Sequence, residues 1–231
     1  MAIRTGLRHQ TLVLPGRFGS DGLRGTRLYL IQYAREGYYV RVADRATGKL
    51  LPNRLQDPDD PALIRGQAWS RLASPDGRYL FTIYVGGTGS AMIHELDMKD
   101  GKAWCVDLPG SGEYNSAGSY ALALSRDGKH LYAAGGAYGS VVTVAVESHR
   151  ITNVARVPVA KPSGPALPSA TLSPDGKTLT FANAGDGWVV DLAAGRTVRT
   201  LHLPADAVVA YGPSGRLWLA RYGSGLSPAP A

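Results

Sequence analysis

The stretch of this chain richest in groups that could do chemistry is "NRLQDPDDPALIRGQ", residues 53–67. Asp57, Asp59 and Asp60 gather carboxylates close together, and a hard cation such as calcium takes about 6–8 oxygen ligands. Their spacing matches no metal-binding loop, however, and acids alternating with prolines describe an ordinary solvated loop equally well. No cofactor is therefore called for, with calcium the one to test. Arg65, Gln67 and Trp69 follow at once and offer a ligand a guanidinium, an amide and an indole. Glu113, Tyr114 and Asn115 form a second such group further along.

Reactive constellations are missing elsewhere. The chain has no G-x-S-x-G, no H-E-x-x-H and no paired-cysteine metal motif. The five histidines, His9, His94, His130, His149 and His202, are scattered. His94 and Glu95 are adjacent in a strand-like run, so their side chains point to opposite faces and cannot act as a pair. His130 and His149 read as exposed residues at strand or turn ends. Cys105, the only cysteine, sits in "AWCVDL", where a buried inert thiol is the plain reading. No catalytic residue is assigned.

The elements that must position these groups announce themselves by repetition. "LASPDGRYLFTIY" from Leu72 returns as "LALSRDGKHLYAA" from Leu122 and "ATLSPDGKTLTFA" from Ala170. Ser-Pro-Asp-Gly fits a type I turn: Ser bonds locally, Pro presets φ, and Gly supplies the positive φ that follows. Such a corner between two β-rich runs is a hairpin. The turn glycines Gly25, Gly77, Gly128, Gly176 and Gly215 recur at intervals of 52, 51, 48 and 39 residues. Periods of about 40–50 residues with several strands each are the signature of propeller blades. Each period reads as four strands, the third tending to end on an acid: Asp44, Asp97, Glu147 and Asp191. Short acids there bond to the backbone of the next turn, a structural role. Helices are excluded, since apolar runs last only about five to eight residues before Gly or Pro interrupts them.

The phrase from Ser74 to Gly110 resembles the YVTN-type β-propeller repeat, a WD40-like group that also contains lactonase-like propellers. The stretches from Leu28 and from Ser173 resemble it too, so the likeness covers most of the chain. It implies an all-β fold of four-stranded antiparallel blades. Its motifs are turn and strand signals without a reactive group, so the fold is better specified than any activity.

Two strands at the N-terminus and two at the C-terminus flank four groups of four, which gives five blades if the ends share one. The rival arrangement is a fragment of a six- to seven-bladed propeller. The single domain is expected over residues 1–223, with 224–231 a disordered tail. In this strand order the connections between blades share one face with the loops joining second and third strands. Binding in propellers concentrates over the central channel on such loops. Arg65, Gln67, Trp69, Glu113, Tyr114 and Asn115 are thus the candidate ligand-binding residues, or else they only cap the ring. The loops "YVGGTGS", "GGAYGS" and "RYGSG" pair tyrosine with glycine, which suits recognition or merely a twist between strands.

Composition narrows the partners. Lys and Arg number 25 against 18 Asp and Glu, a net charge of +7, but the basic residues are scattered singly. That pattern argues against nucleic acid as a partner. No window reaches the roughly 18 apolar residues of a membrane helix, and the N-terminus lacks the 7–15-residue apolar core (about that length) of a secretory signal. A monomer in the cytoplasm is the default expectation, with an extracytoplasmic location if the N-terminus is incomplete. Two functions stand open: a non-enzymatic platform for a protein or small molecule, or a lactonase-like hydrolase using Asp57, Asp59, Asp60, Arg65 and Glu113.

Overall fold

A computed structural model describes residues 2–5, 10–14, 16–59, 63–86, 90–110, 120–159, 168–221, 223 and 225–229. Every regular element among them is a strand. Four consecutive four-stranded antiparallel sheets dominate. The first holds β3 (Phe18–Arg24), β4 (Arg27–Tyr33), β5 (Tyr38–Asp44) and β6 (Lys49–Leu55). The second holds β7 (Gln67–Ala73), β8 (Tyr79–Val85), β9 (Ala91–Asp97) and β10 (Lys102–Asp107). The third holds β11 (Tyr120–Leu124), β12 (His130–Gly135), β13 (Ser140–Ala145) and β14 (Arg150–Arg156). The fourth holds β15 (Ser169–Leu172), β16 (Thr178–Asn183), β17 (Asp186–Asp191) and β18 (Arg196–His202). A single parallel pairing of Arg156 with Arg196 joins the outer strands β14 and β18.

The first strands of successive sheets touch: β7 with β11, β11 with β15, and β15 with β19 (Val208–Tyr211). This is the inner ring of a propeller, and the sheets are its blades. Apolar faces meet between neighbours. Tyr29, Ile31 and Val40 of the first blade pack on Leu80, Leu96 and Met98 of the second. Phe81, Ile83 and Ile93 of the second meet Leu131, Val142 and Val144 of the third. Phe181 and Trp188 of the fourth stack with ring centroids 4.7 Å apart, against Ala134 and Val141 of the third. Middle strands such as β8 are buried on both faces, which is why "YLFTIYV" shows no polar alternation.

The corners form as their residues dictate. Ser74 Oγ donates to Asp76 Oδ1 at 2.6 Å and accepts from the Tyr79 amide at 2.8 Å, while Gly77 takes φ 64°. Ser125 with Asp127, and Ser173 with Asp175, repeat the arrangement at the same 2.6 Å. These hydrogen bonds from serine hold the three aspartates below the usual carboxylate range. At the ends of third strands, Asp44, Asp97 and Asp191 each accept two amides of the following turn. The third blade departs from this rule. Ala145, not Glu147, ends β13; Glu147 lies exposed within the turn.

The termini also differ from expectation. β1 (Ala2–Thr5) and β2 (Gln10–Val13) pair only with each other, whereas β19, β20 (Leu217–Arg221) and β21 (Gly225–Pro228) make a separate three-stranded sheet. The blade that both ends would share is therefore not formed among the described residues. β21 lies within residues 224–231 and pairs antiparallel with β20. Among the described residues no helix is long and apolar enough to cross a membrane.

Candidate functional site

The connection from β6 to β7 is fastened at several points. The Tyr38 amide donates to the Ile64 carbonyl and the Ile64 amide to Tyr38, at 3.0 and 3.2 Å, which ties it to the first blade. Asp57 ties it to the second: Oδ2 accepts the Cys105 amide at 2.6 Å and Oδ1 accepts the Asp59 amide at 2.9 Å. Gly66, at φ 100°, then lets the chain pass so close to Val85 that a Cβ would lie 2.5 Å from its carbonyl oxygen.

This strapping leaves a cleft of about 380 Å³ between the β6–β7 connection and the second blade, lined by Ile64, Arg65, Tyr84, Met92, Cys105 and Asp107. It opens at the end where blade connections and the β8–β9 loop meet. One face of the second blade supplies its floor: Tyr84, Met92, Cys105 and Asp107 line the cleft, and the buried polar groups of Thr82 and His94 follow beneath them on the same face, before Leu80 and Leu96 close the interface. Tyr84 lies 5.0 Å from Tyr38 between ring centroids, and His94 meets Tyr84 edge-on at 6.1 Å. Deeper in the same blade interface, Arg71 reaches Asp21 at 2.9 Å. Asp21 is the extra residue of a bulge in β3, and Trp69 is that of a bulge in β7.

Electrostatics fix the protonation of this floor. Burial pushes Tyr84 up to about 12 and Tyr38 higher still. Burial likewise pushes His94 down to about 4, with Arg71 adding to the shift and Asp57 opposing it. Burial raises Asp21, and Arg71 partly offsets this. At neutral pH the floor therefore presents neutral phenols and a neutral imidazole. The His94 Nε2 is buried without a protein hydrogen-bond partner.

The residues singled out from sequence divide. Arg65 lines the cleft; its side chain is 74% exposed and reaches Glu36 only at 3.9 Å. Gln67 opens β7 opposite Val85, and Trp69 stands 45% exposed on the inner strand beside it. Asp57 is 7% exposed and serves as a backbone clamp. Asp59 is exposed nearby. Asp60, Glu113, Tyr114 and Asn115 lie outside the described residues. Among the described residues, no three His, Cys, Asp or Glu side chains converge as a metal site would require.

Sequence reasoning missed Tyr38, Asp21 and Arg71, which carry no motif, and left Tyr84, the tyrosine of "YVGGTGS", open between recognition and a twist between strands. It separated His94 from Glu95 correctly, yet both are buried: His94 faces the first blade and Glu95 the third. It also misplaced His149, whose side chain is only 18% exposed. Its Nδ1 lies 2.6 Å from Glu95 Oε2.

Comparison with known proteins follows from this geometry. No protein-family model matches the chain, and no curated protein does. Solved structures do. A structure of the Dos1 propeller superposes with a TM-score of 0.61 at 10% identity, covering 96% of this chain and 59% of that one. The fold is a β-propeller. Apo AztD from Citrobacter koseri gives 0.52 at 15% identity, over 86% of this chain and 51% of that one. The periplasmic gluconolactonase PpgL of Pseudomonas aeruginosa gives 0.47 at 23% identity, over 87% and 61%. This propeller chain thus spans between about half and three-fifths of the length of the structures it resembles.

Proposed function

We propose that this protein is a non-enzymatic propeller that holds a small polar molecule in the cleft between its β6–β7 connection and its second blade. The observation that carries the reading is the polar layer at and beneath the cleft: Tyr84 in its wall, backed by Tyr38, His94 and the Asp21–Arg71 pair, with His94 Nε2 lacking a protein partner. Buried polar groups cost stability unless they have partners, so such a set is better explained by recognition than by packing. Its protonation states argue the same way. Tyrosines held neutral and an imidazole that stays uncharged donate and accept hydrogen bonds, but none is poised near neutral pH as a general base. Arg65 at the rim adds one exposed cation and Asp107 one carboxyl group, which suits a hydroxyl-rich ligand. The relationship to YVTN-type repeats belongs with this proposal, as does the absence of a required cofactor.

Titration calorimetry with neutral sugars, sugar acids and sugar lactones tests the reading, using wild type, Tyr84→Phe and Arg65→Ala. Binding that weakens at least tenfold in Tyr84→Phe, with the ligand recovered unchanged, is the expected result. Turnover of a lactone, lost in Arg65→Ala, would instead establish the hydrolase.

A further inference from the structure

On the far side of the second blade lies a different arrangement. The turns that follow third strands end on a glycine in left-handed conformation in three blades: Gly48 at φ 69°, Gly101 at 66° and Gly195 at 62°. In the third blade that place is taken by His149, at φ 55°. A side chain there is held at a conformational cost, which implies that it is held for what it contacts. The same turn has also lost its capping aspartate, since Ala145 stands where Asp44, Asp97 and Asp191 stand elsewhere.

What His149 contacts is Glu95, the one residue at its register in β9 that breaks an otherwise apolar interface. Glu95 is fully buried, with Phe81 and Trp104 as its neighbours across the sheet, and its Oε1 has no partner. The His149 ring lies flat on Trp104, centroids 3.7 Å apart and planes within 13°. Its Nδ1 is committed to Glu95, which leaves Nε2 to a groove of about 280 Å³ lined by Asp57, Trp104, Asp107, Ser148, His149 and Arg150.

A contact of 2.6 Å between carboxyl and imidazole requires one proton between the two atoms. That requirement fixes the other nitrogen. When the pair is neutral overall, as carboxylic acid with imidazole or carboxylate with imidazolium, Nε2 carries a hydrogen. When the pair loses one proton, the carboxylate must take the hydrogen of Nδ1, and Nε2 keeps a bare lone pair. The geometry points to a proton-controlled recognition atom: Glu95 sets whether His149 offers the flank groove a hydrogen-bond donor or an acceptor. The surrounding groups make the change cooperative with little else. Burial lowers His149 below the usual imidazole value, while Asp57, from the β6–β7 connection, and Asp97, on β9 and paired to Arg78, partly oppose this by favouring positive charge. Tyr79 on β8 is the other titratable group coupled to Glu95, while Glu147 and Arg150 flank His149 on its own turn. Burial raises Glu95 to about 8, which puts the exchange within reach of solution conditions.

The test is imidazole ¹⁵N NMR from pH 6 to 10, with His149 assigned by His149→Asn and the Glu95 carboxyl followed by ¹³C in the same samples. In wild type, Nε2 should carry the proton at pH 6–7 and lose it to Nδ1 at high pH, with the same midpoint as the carboxyl. In Glu95→Gln the amide donates to Nδ1 at every pH, so Nε2 should stay protonated throughout. A wild-type His149 that keeps one tautomer across the range overturns the proposal. So does a reversal that survives in Glu95→Gln, or a carboxyl midpoint different from that of the ring. Should Glu95→Gln fail to fold, the wild-type reversal and the shared midpoint still decide.

Discussion

Tyr38 of the first blade and Tyr84 of the second lie against each other with ring centroids 5.0 Å apart and planes tilted by 38°. The pair is the hinge point between packing and recognition. Its rings continue the apolar seam of Tyr29, Ile31 and Leu96, while Tyr84 also lines the cleft. Removing the ring and removing the hydroxyl should therefore have separable effects. Tyr84→Ala should cost about 3–5 kcal/mol in urea unfolding, the range for truncating a buried aromatic. Tyr84→Phe should unfold within about 1 kcal/mol of wild type, since it keeps the volume and loses one hydroxyl.

Glu95 gives the fold a pH dependence of known sign. Its carboxyl is raised to about 8 when folded from 4.5 as a free side chain, so the folded state holds the proton more tightly. That contribution is fully present below the unfolded value and is lost as pH rises through 8. The slope cannot exceed about 1.4 kcal/mol per pH unit for one proton. The difference in unfolding free energy between wild type and Glu95→Gln should fall steadily from pH 5 to 8 (about that window). A flat difference would show that Glu95 titrates as a solvated acid.

His94 works in the opposite direction. Burial lowers it to about 4 from 6.5, so the unfolded chain binds its proton first. Stability is retained above the unfolded value and lost as pH falls through the folded one. Relative to His94→Gln, wild type should lose stability on acidification below about 6.5. Acid titrations of both proteins by circular dichroism check this.

The corner of the third blade invites a stabilising change. Pro75 and Pro174 occupy the second position of their turns, and Arg126 holds that position in the third with the same serine–aspartate bonds. Arg126→Pro should raise unfolding free energy by about 0.4–1 kcal/mol, because the residue already adopts the turn and proline restricts only the unfolded chain. Ser173→Ala, by contrast, should cost about 1 kcal/mol, since the Thr178 amide loses its acceptor.

The hairpins, the blade period and the face on which Arg65 stands were legible because they depend on local signals, the Ser-x-Asp-Gly corners and apolar runs of strand length. The floor of the cleft was not. Tyr38 and Tyr84 are apart in sequence; Tyr38 opens a strand without any motif, and the tyrosine of "YVGGTGS" suits a twist as well as recognition until register places it beside Tyr38 at a cleft. Asp21 was hidden in "GRFGSDGL", a poor strand by composition that is held by a bulge and by Arg71 from the next blade. Glu147 misled because an acid near a strand end resembles a cap, although the four-residue offset to a turn glycine, kept at Asp44, Asp97 and Asp191, points to Ala145. The same offset lands on His149, so its departure from glycine was present in the sequence and needed only alignment of the blades.

Methionine methyl NMR tests the central claim most directly, because the chain has only three methionines and two of them bracket the question. Met92 lines the cleft and also borders the flank groove beside His149, so wild type is compared with Tyr84→Phe; Met98 is buried at the opposite end of the same blade interface, its carbonyl accepting from the Tyr29 hydroxyl. A ligand found by calorimetry should shift the Met92 methyl in proportion to occupancy and leave Met98 in place. An unmoved Met92 at saturating ligand, equal movement of both methyls, or a Met92 shift unchanged in Tyr84→Phe would contradict binding in the cleft between the β6–β7 connection and the second blade.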